Sequence, residues 1–120
     1  MNLTEHLLVC LIEECAEVQK AATKALRFGF DDHPPDADRT SSNAEDIAAE
    51  LDDLQAVAEM LVENGSTRGP YETNVQQKKL RVLRFLDYSR RRGTLDGDAL
   101  VREAAPAPAL PPARRPEDQA

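Results

Sequence analysis

The sequence predicts an all-α protein: an antiparallel helical bundle of three main helices plus a short fourth, completed by oligomerisation and followed by a disordered Pro-rich C-terminal tail. Three observations predict it. Apolar residues return every three to four positions in three long stretches. Gly29, Asn64-Gly65 and Gly93 stand where those stretches end. The last 17 residues contain five prolines and cannot continue a helix or build a core.

The first helix is expected from about Leu3 to Phe28. Asn2 can cap it, with Glu5 at the third helical position. Leu7, Leu11, Val18 and Ala22 form its apolar stripe, widened by Leu8, Cys15 and Leu26. Residues 29–42, "GFDDHPPDADRTSS", read as a loop. Their aspartates lack the glycine and the closing glutamate of a calcium-binding loop.

The second helix is expected from about Asn43 to Glu63. Ser42 and Glu45 have capping-box spacing, and Ile47, Leu51, Leu54, Val57, Ala58 and Leu61 supply the apolar face. The third is expected to start near Pro70, a favoured first helical residue, and to run to Gly93. Val75, Leu80, Val82, Leu83 and Leu86 supply its core face. The short fourth helix would span Asp98–Glu103. These elements form one domain, residues 1–103, and the tail is residues 104–120.

Composition limits the function. The chain has 120 residues, 41% of them hydrophobic, only 4% aromatic, and no Trp, which suits one modest aliphatic core. It has no run of apolar residues long enough to span a membrane and no basic amino-terminal signal, so a cytoplasmic protein is expected. Cys10 and Cys15 lie five residues apart on one helix, a rise of ~7.5 Å, too far for a disulfide. Both are expected as buried, reduced thiols.

The net charge of −7 is unevenly spread. Residues 1–65 hold 15 acids and 4 bases, a net of −11; residues 66–120 hold 7 acids and 11 bases, a net of +4. The overall sign disfavours a nucleic acid polymer as partner. Metal ions on one side and the phosphates of a small ligand on the other fit the split better.

The stretch "LIEECAEVQKA" places Glu13, Glu14 and Glu17 within a turn and a half of helix, although like charges at such spacing repel. Glu14 falls between Leu11 and Val18, and Glu17 one turn before Ala21. In "AAELDDLQ", Glu50 falls between Ile47 and Leu54, and Asp53 one turn before Val57. Each helix thus turns an i, i+3 acid pair toward its apolar side. Buried carboxylates are costly unless they are strongly compensated. Two packed helices would gather Glu14, Glu17, Glu50 and Asp53 into one cage for a divalent cation, and all-oxygen ligation favours Mg²⁺ or Mn²⁺. Neither histidine, His6 or His33, has the E-x-x-H spacing of a ferritin-like di-iron site. The plainer alternative is a solvated acidic face on a helical protein-interaction module.

E-E-x-x-E followed on the next helix by E-x-x-D resembles the MazG-like, all-α nucleotide pyrophosphohydrolases. The matching residues are Glu13, Glu14 and Glu17 in "EECAE" and Glu50 and Asp53 in "ELDD". The wording "HLLVCLIEECAEVQKAATKALRFG" and "NAEDIAAELDDL" looks like the short phage-encoded branch, and the similarity covers about Leu3 to Tyr88. The resemblance implies Mg²⁺-dependent hydrolysis of a nucleoside triphosphate to the monophosphate and pyrophosphate, with Mn²⁺ as a substitute ion. It implies Glu14, Glu17, Glu50 and Asp53 as metal ligands, with Glu14 at the catalytic centre and Glu13 supporting the site or positioning the attacking water. It also implies Asn74, Lys78 and Arg81 as substrate-binding residues, and a homodimer or homotetramer in the host cytoplasm. Charge alone points to Lys78, Lys79, Arg81 and Arg84 as groups able to meet phosphate oxygens. A phosphohydrolase acting on an alarmone nucleotide would carry the same metal cage. Phe28, Phe30, His33, Tyr71 and Tyr88 are the aromatic candidates for base recognition.

Overall fold

The computed structural model describes residues 1–33, 35 and 40–96, and these contain three α-helices and no strand. The helices are α1, Leu3–Phe28; α2, Asn43–Glu63; and α3, Glu72–Arg92. The expected fourth helix at Asp98–Glu103 and the Pro-rich tail lie outside the described residues. The chain divides into two units, Met1–Gly69 and Pro70–Ala120.

In the first unit, α1 and α2 pack as an antiparallel hairpin. Local chemistry defines both ends of each helix. The Asn2 side chain accepts the Glu5 amide at 2.8 Å, and the Glu5 carboxylate accepts the Asn2 amide at 2.9 Å, closing the capping box. α1 stops at Gly29, whose φ of +97° is open to glycine but strained for other residues. A Cβ there would also sit 3.2 Å from Asp31 Oδ1. At the start of α2, the Ser42 hydroxyl accepts the Glu45 amide at 3.2 Å. Asn64 and the positive-φ Gly65 end it.

Two sets of contacts fix the hairpin's direction. At the open end, the Asn64 carboxamide donates to the Thr4 hydroxyl at 3.3 Å, and the Thr4 and Ser66 hydroxyls are 3.0 Å apart. At the closed end, the Asn43 carboxamide donates to the Gly29 carbonyl at 2.8 Å. Between them runs a seam with alternating four- and three-residue spacing, the pattern that keeps one helical stripe against a partner helix. On α1 it contains Leu7, Leu11, Glu14, Val18, Ala21 and Ala25; on α2, Asn43, Ile47, Glu50, Leu54, Val57 and Leu61. Leu7, Ala21, Ala25, Leu61 and Asn43 are buried, and the others are half-buried.

The apolar face is therefore narrower than the sequence suggests. Leu8, Cys15 and Leu26 on α1 and Leu51 and Ala58 on α2 are exposed, Leu26 to 88%. A pair of helices covers a single stripe on each, and flanking positions about 100° away stay outside it. Cys10 is half-buried, and both cysteines are free thiols.

In the second unit, α3 begins at Glu72, two residues later than Pro70 would place it. Tyr71 keeps an extended backbone as the cap, and its carbonyl accepts the Val75 amide at 3.1 Å. The helix closes on left-handed Gly93, with the Thr94 amide returning to the Ser89 carbonyl. Asp87 pairs with Arg90 and Arg91 in its last turns. No residue of α3 is buried. Leu80, Leu83 and Leu86 are half-buried, while Val75 and Val82 are exposed. No helix among the described residues is long and apolar enough to cross a membrane.

Candidate functional site

Glu14 and Glu50 are the two acidic residues in the hairpin seam. The spacing that half-buries Leu11 and Val18 on α1, and flanks Glu50 with Ile47 and Leu54 on α2, carries both carboxylates toward the interface. Asp53 lies three residues beyond Glu50, which places it about 60° around the helix, at the seam's edge. It is exposed, but its side chain reaches the same point. One carboxylate oxygen from each of Glu14, Glu50 and Asp53 lies within 4.8 Å of the others.

This proximity marks the electrostatics. The half-buried position of Glu14 disfavours its charged form, and the charges of Asp53, Glu50, Glu17 and Glu13, in that order, add to the effect. Together they push the Glu14 carboxyl above its ordinary value of 4.5. No lysine or arginine among the described residues forms an ion pair with the three carboxylates.

Of the four expected ligands, the hairpin brings three together. Glu17 stays exposed outside the close group, although its charge is felt at Glu14. The geometric reason is the helical turn: Val18, not Glu17, holds the seam position, so Glu17 projects from the flank. Glu13 is likewise exposed beside Glu14.

Asn74, Lys78 and Arg81 are exposed on α3, in the second unit. Arg81, Arg84, Phe85 and Tyr88 line an open groove of about 430 Å³. Among the aromatic candidates of the first unit, Phe28 and Phe30 are exposed, and the Arg27 guanidinium lies 4.7 Å from the Phe28 ring centroid. The His33 ring nitrogen Nδ1 is 2.7 Å from the Ser41 carbonyl.

Sequence reasoning passed over Asn43. It is completely buried at the hairpin's closed end, where its side chain meets Gly29. The signal was available: an Asn occupies a seam position one turn before Ile47 and two turns before Glu50. No family model, curated protein or solved structure matches the chain.

Proposed function

We propose that the chain is a Mg²⁺-dependent hydrolase that cleaves a nucleoside triphosphate to the monophosphate and pyrophosphate. The observation that carries this reading is the convergence of Glu14, Glu50 and Asp53 in and beside a largely apolar helix seam, with Glu14 pushed toward its protonated form. Three converging carboxylates, one of them half-buried and disfavoured in its charged form by desolvation and by its neighbours, suit a divalent cation. All three donors are carboxylate oxygens, the ligand type that Mg²⁺ takes. Mn²⁺ suits the same oxygen donors.

In this reading Glu14, Glu50 and Asp53 would hold the ion, with Glu17 offering a further carboxylate from the flank. When bound, the ion would supply Lewis-acid polarisation of the phosphates and a lowered pKa for a bound water. Glu13, exposed one residue before Glu14, orients the attacking water. The oxygen of that water bonds to the α-phosphorus as its proton passes to solvent, the bond from that phosphorus to the bridging oxygen breaks, and pyrophosphate leaves with the electron pair. Lys78 and Arg81 bind phosphate oxygens, where negative charge develops in the transition state, and Asn74 donates a hydrogen bond to the nucleotide. The similarity of "EECAE" and "ELDD" to MazG-like pyrophosphohydrolases supports the choice of substrate class.

The same reading includes self-association in the cytoplasm. The hairpin buries four apolar side chains, while Ile12 is 68% exposed and Leu8, Val9 and Leu51 are also open. Faces of this kind are covered in helical bundles, which hold metal sites between facing helices. Those exposed residues also favour a second reading, a non-enzymatic interaction module whose acidic residues remain solvated. The deciding experiment incubates the protein with a panel of nucleotides, alarmones included, and Mg²⁺ or Mn²⁺. Monophosphate and pyrophosphate as products support the proposal; diphosphate and phosphate, or no turnover, reject it.

A further inference from the structure

We propose that Asn43 is a positioning residue, whose buried carboxamide sets the register of α2 against α1 and so holds Glu50 and Asp53 beside Glu14. The inference rests on reading those carboxylates as a metal site. Asn43 is 0% exposed, and no other polar or charged residue among the described ones is buried. Its Nδ2 donates to the Gly29 carbonyl at 2.8 Å, at the point where α1 ends. Its backbone amide donates to the Asp32 carbonyl at 3.0 Å, and the next amide, of Ala44, to the Phe30 carbonyl at 2.9 Å. The first amides of a helix lack partners within it, so these bonds stitch the first turn of α2 to residues 29–32.

A buried polar residue in an apolar seam selects one alignment of the helices at some expense in stability. The expense is visible, because Asn43 Oδ1 is buried with no hydrogen-bond partner among the described residues. The alternative amide orientation would point that oxygen at the Gly29 carbonyl, acceptor against acceptor, so the donor role of Nδ2 follows from chemistry. Glu50 lies seven residues further along α2, two turns on the same face and about 10.5 Å along the axis. A helix of this kind transmits register. A one-residue slip would turn α2 by about 100° and carry Glu50 out of the seam.

The test separates register from metal chemistry. Spin labels are placed at Gln19→Cys and Gln55→Cys, both exposed, in a full chain carrying Cys10→Ala and Cys15→Ala. Distance distributions between the labels are measured by pulsed electron paramagnetic resonance without metal. Mn²⁺ dissociation constants are measured separately, on unlabelled protein. Asn43→Ala is expected to broaden or shift the distribution and to raise the Mn²⁺ dissociation constant about tenfold, the scale seen when groups supporting metal ligands are removed. Leu61→Val, at the other end of the seam, is expected to lower the melting temperature and leave the dissociation constant within about twofold, as a distant independent site should. An unchanged distance distribution in Asn43→Ala overturns the proposal. If Asn43→Ala does not fold, Asn43→Ser is judged by the same two readouts. Failure of the parent protein to bind Mn²⁺ rejects the metal reading instead, and the distance measurement still decides the role of Asn43.

Discussion

Asp53 is the neighbouring charge that acts most strongly on Glu14: among the carboxylates that raise the Glu14 pKa it stands ahead of Glu50, Glu17 and Glu13. The two residues lie on different helices, so their repulsion acts across the α1–α2 interface and opposes the packing of the metal-free hairpin.

Asp53→Asn removes that charge at nearly constant volume. The variant is expected to melt a few degrees above the parent in chelator, and to lose both turnover and Mg²⁺ stabilisation. In the parent, Mg²⁺ at a hundredfold excess over its dissociation constant should add about 2.7 kcal/mol. A solvated acidic face would give changes of only about ±0.5 kcal/mol and no altered response to the ion. Melting each protein in chelator and again in Mg²⁺ separates the two.

The raised Glu14 pKa fixes the sign of a pH effect. Below 4.5 the carboxyl is protonated in both the folded and unfolded chain. Between 4.5 and the higher folded value, the folded chain holds a proton that the unfolded chain has released. Stability contributed by protonated Glu14 is therefore lost as pH rises through that window. Glu14→Gln should flatten this part of the stability–pH curve and raise the melting temperature of the metal-free protein at pH 7. Chemical denaturation in chelator across the acidic range checks it.

Lys78→Ala tests the phosphate-binding role proposed for Lys78. Lys78 is exposed on α3, away in sequence from the three carboxylates of the hairpin. Its loss should raise KM or reduce kcat by about tenfold, one lost charge–phosphate contact. Mg²⁺-induced stabilisation should remain as in the parent. Loss of metal binding in this variant would remove Lys78 from the phosphates.

Deletion of residues 105–120 should leave folding and turnover unchanged, because a Pro-rich segment contributes little buried surface. The melting temperature and specific activity of the shortened chain measure this directly.

The helices were legible because their ends carry strong local signals. Asn2 with Glu5, Ser42, Gly29, Asn64-Gly65 and Gly93 all act at the positions their chemistry implies. Glu14 and Glu50 were legible as seam residues because each is flanked by apolar residues at helical spacing. Glu17 was harder to place. A position one turn before Ala21 suggests burial, but Val18 holds that layer and Glu17 falls outside it. The exposure of Leu26 and Cys15 was hidden for a related reason: periodicity identifies which residues share a face, while the width of the covered strip depends on the partner helix. Pro70 suggested an early start to α3, but Tyr71 remains extended and begins the helix from its carbonyl.

Ala21 and Ala25, buried near the closed end of the hairpin, imply a particular mechanical behaviour. Helix separation follows the bulk of the side chains between the axes. By that rule two buried alanines leave room for a closer approach than Leu7 and Leu61 do at the far end. A hairpin so built would act like tweezers joined at the end near Gly29, with Glu14 and Glu50 partway along the arms. A small change in opening angle alters the gap between carboxylates, and an ion bound there would draw the arms together. Enlarging Ala21 would wedge the tweezers open without touching a single charged group.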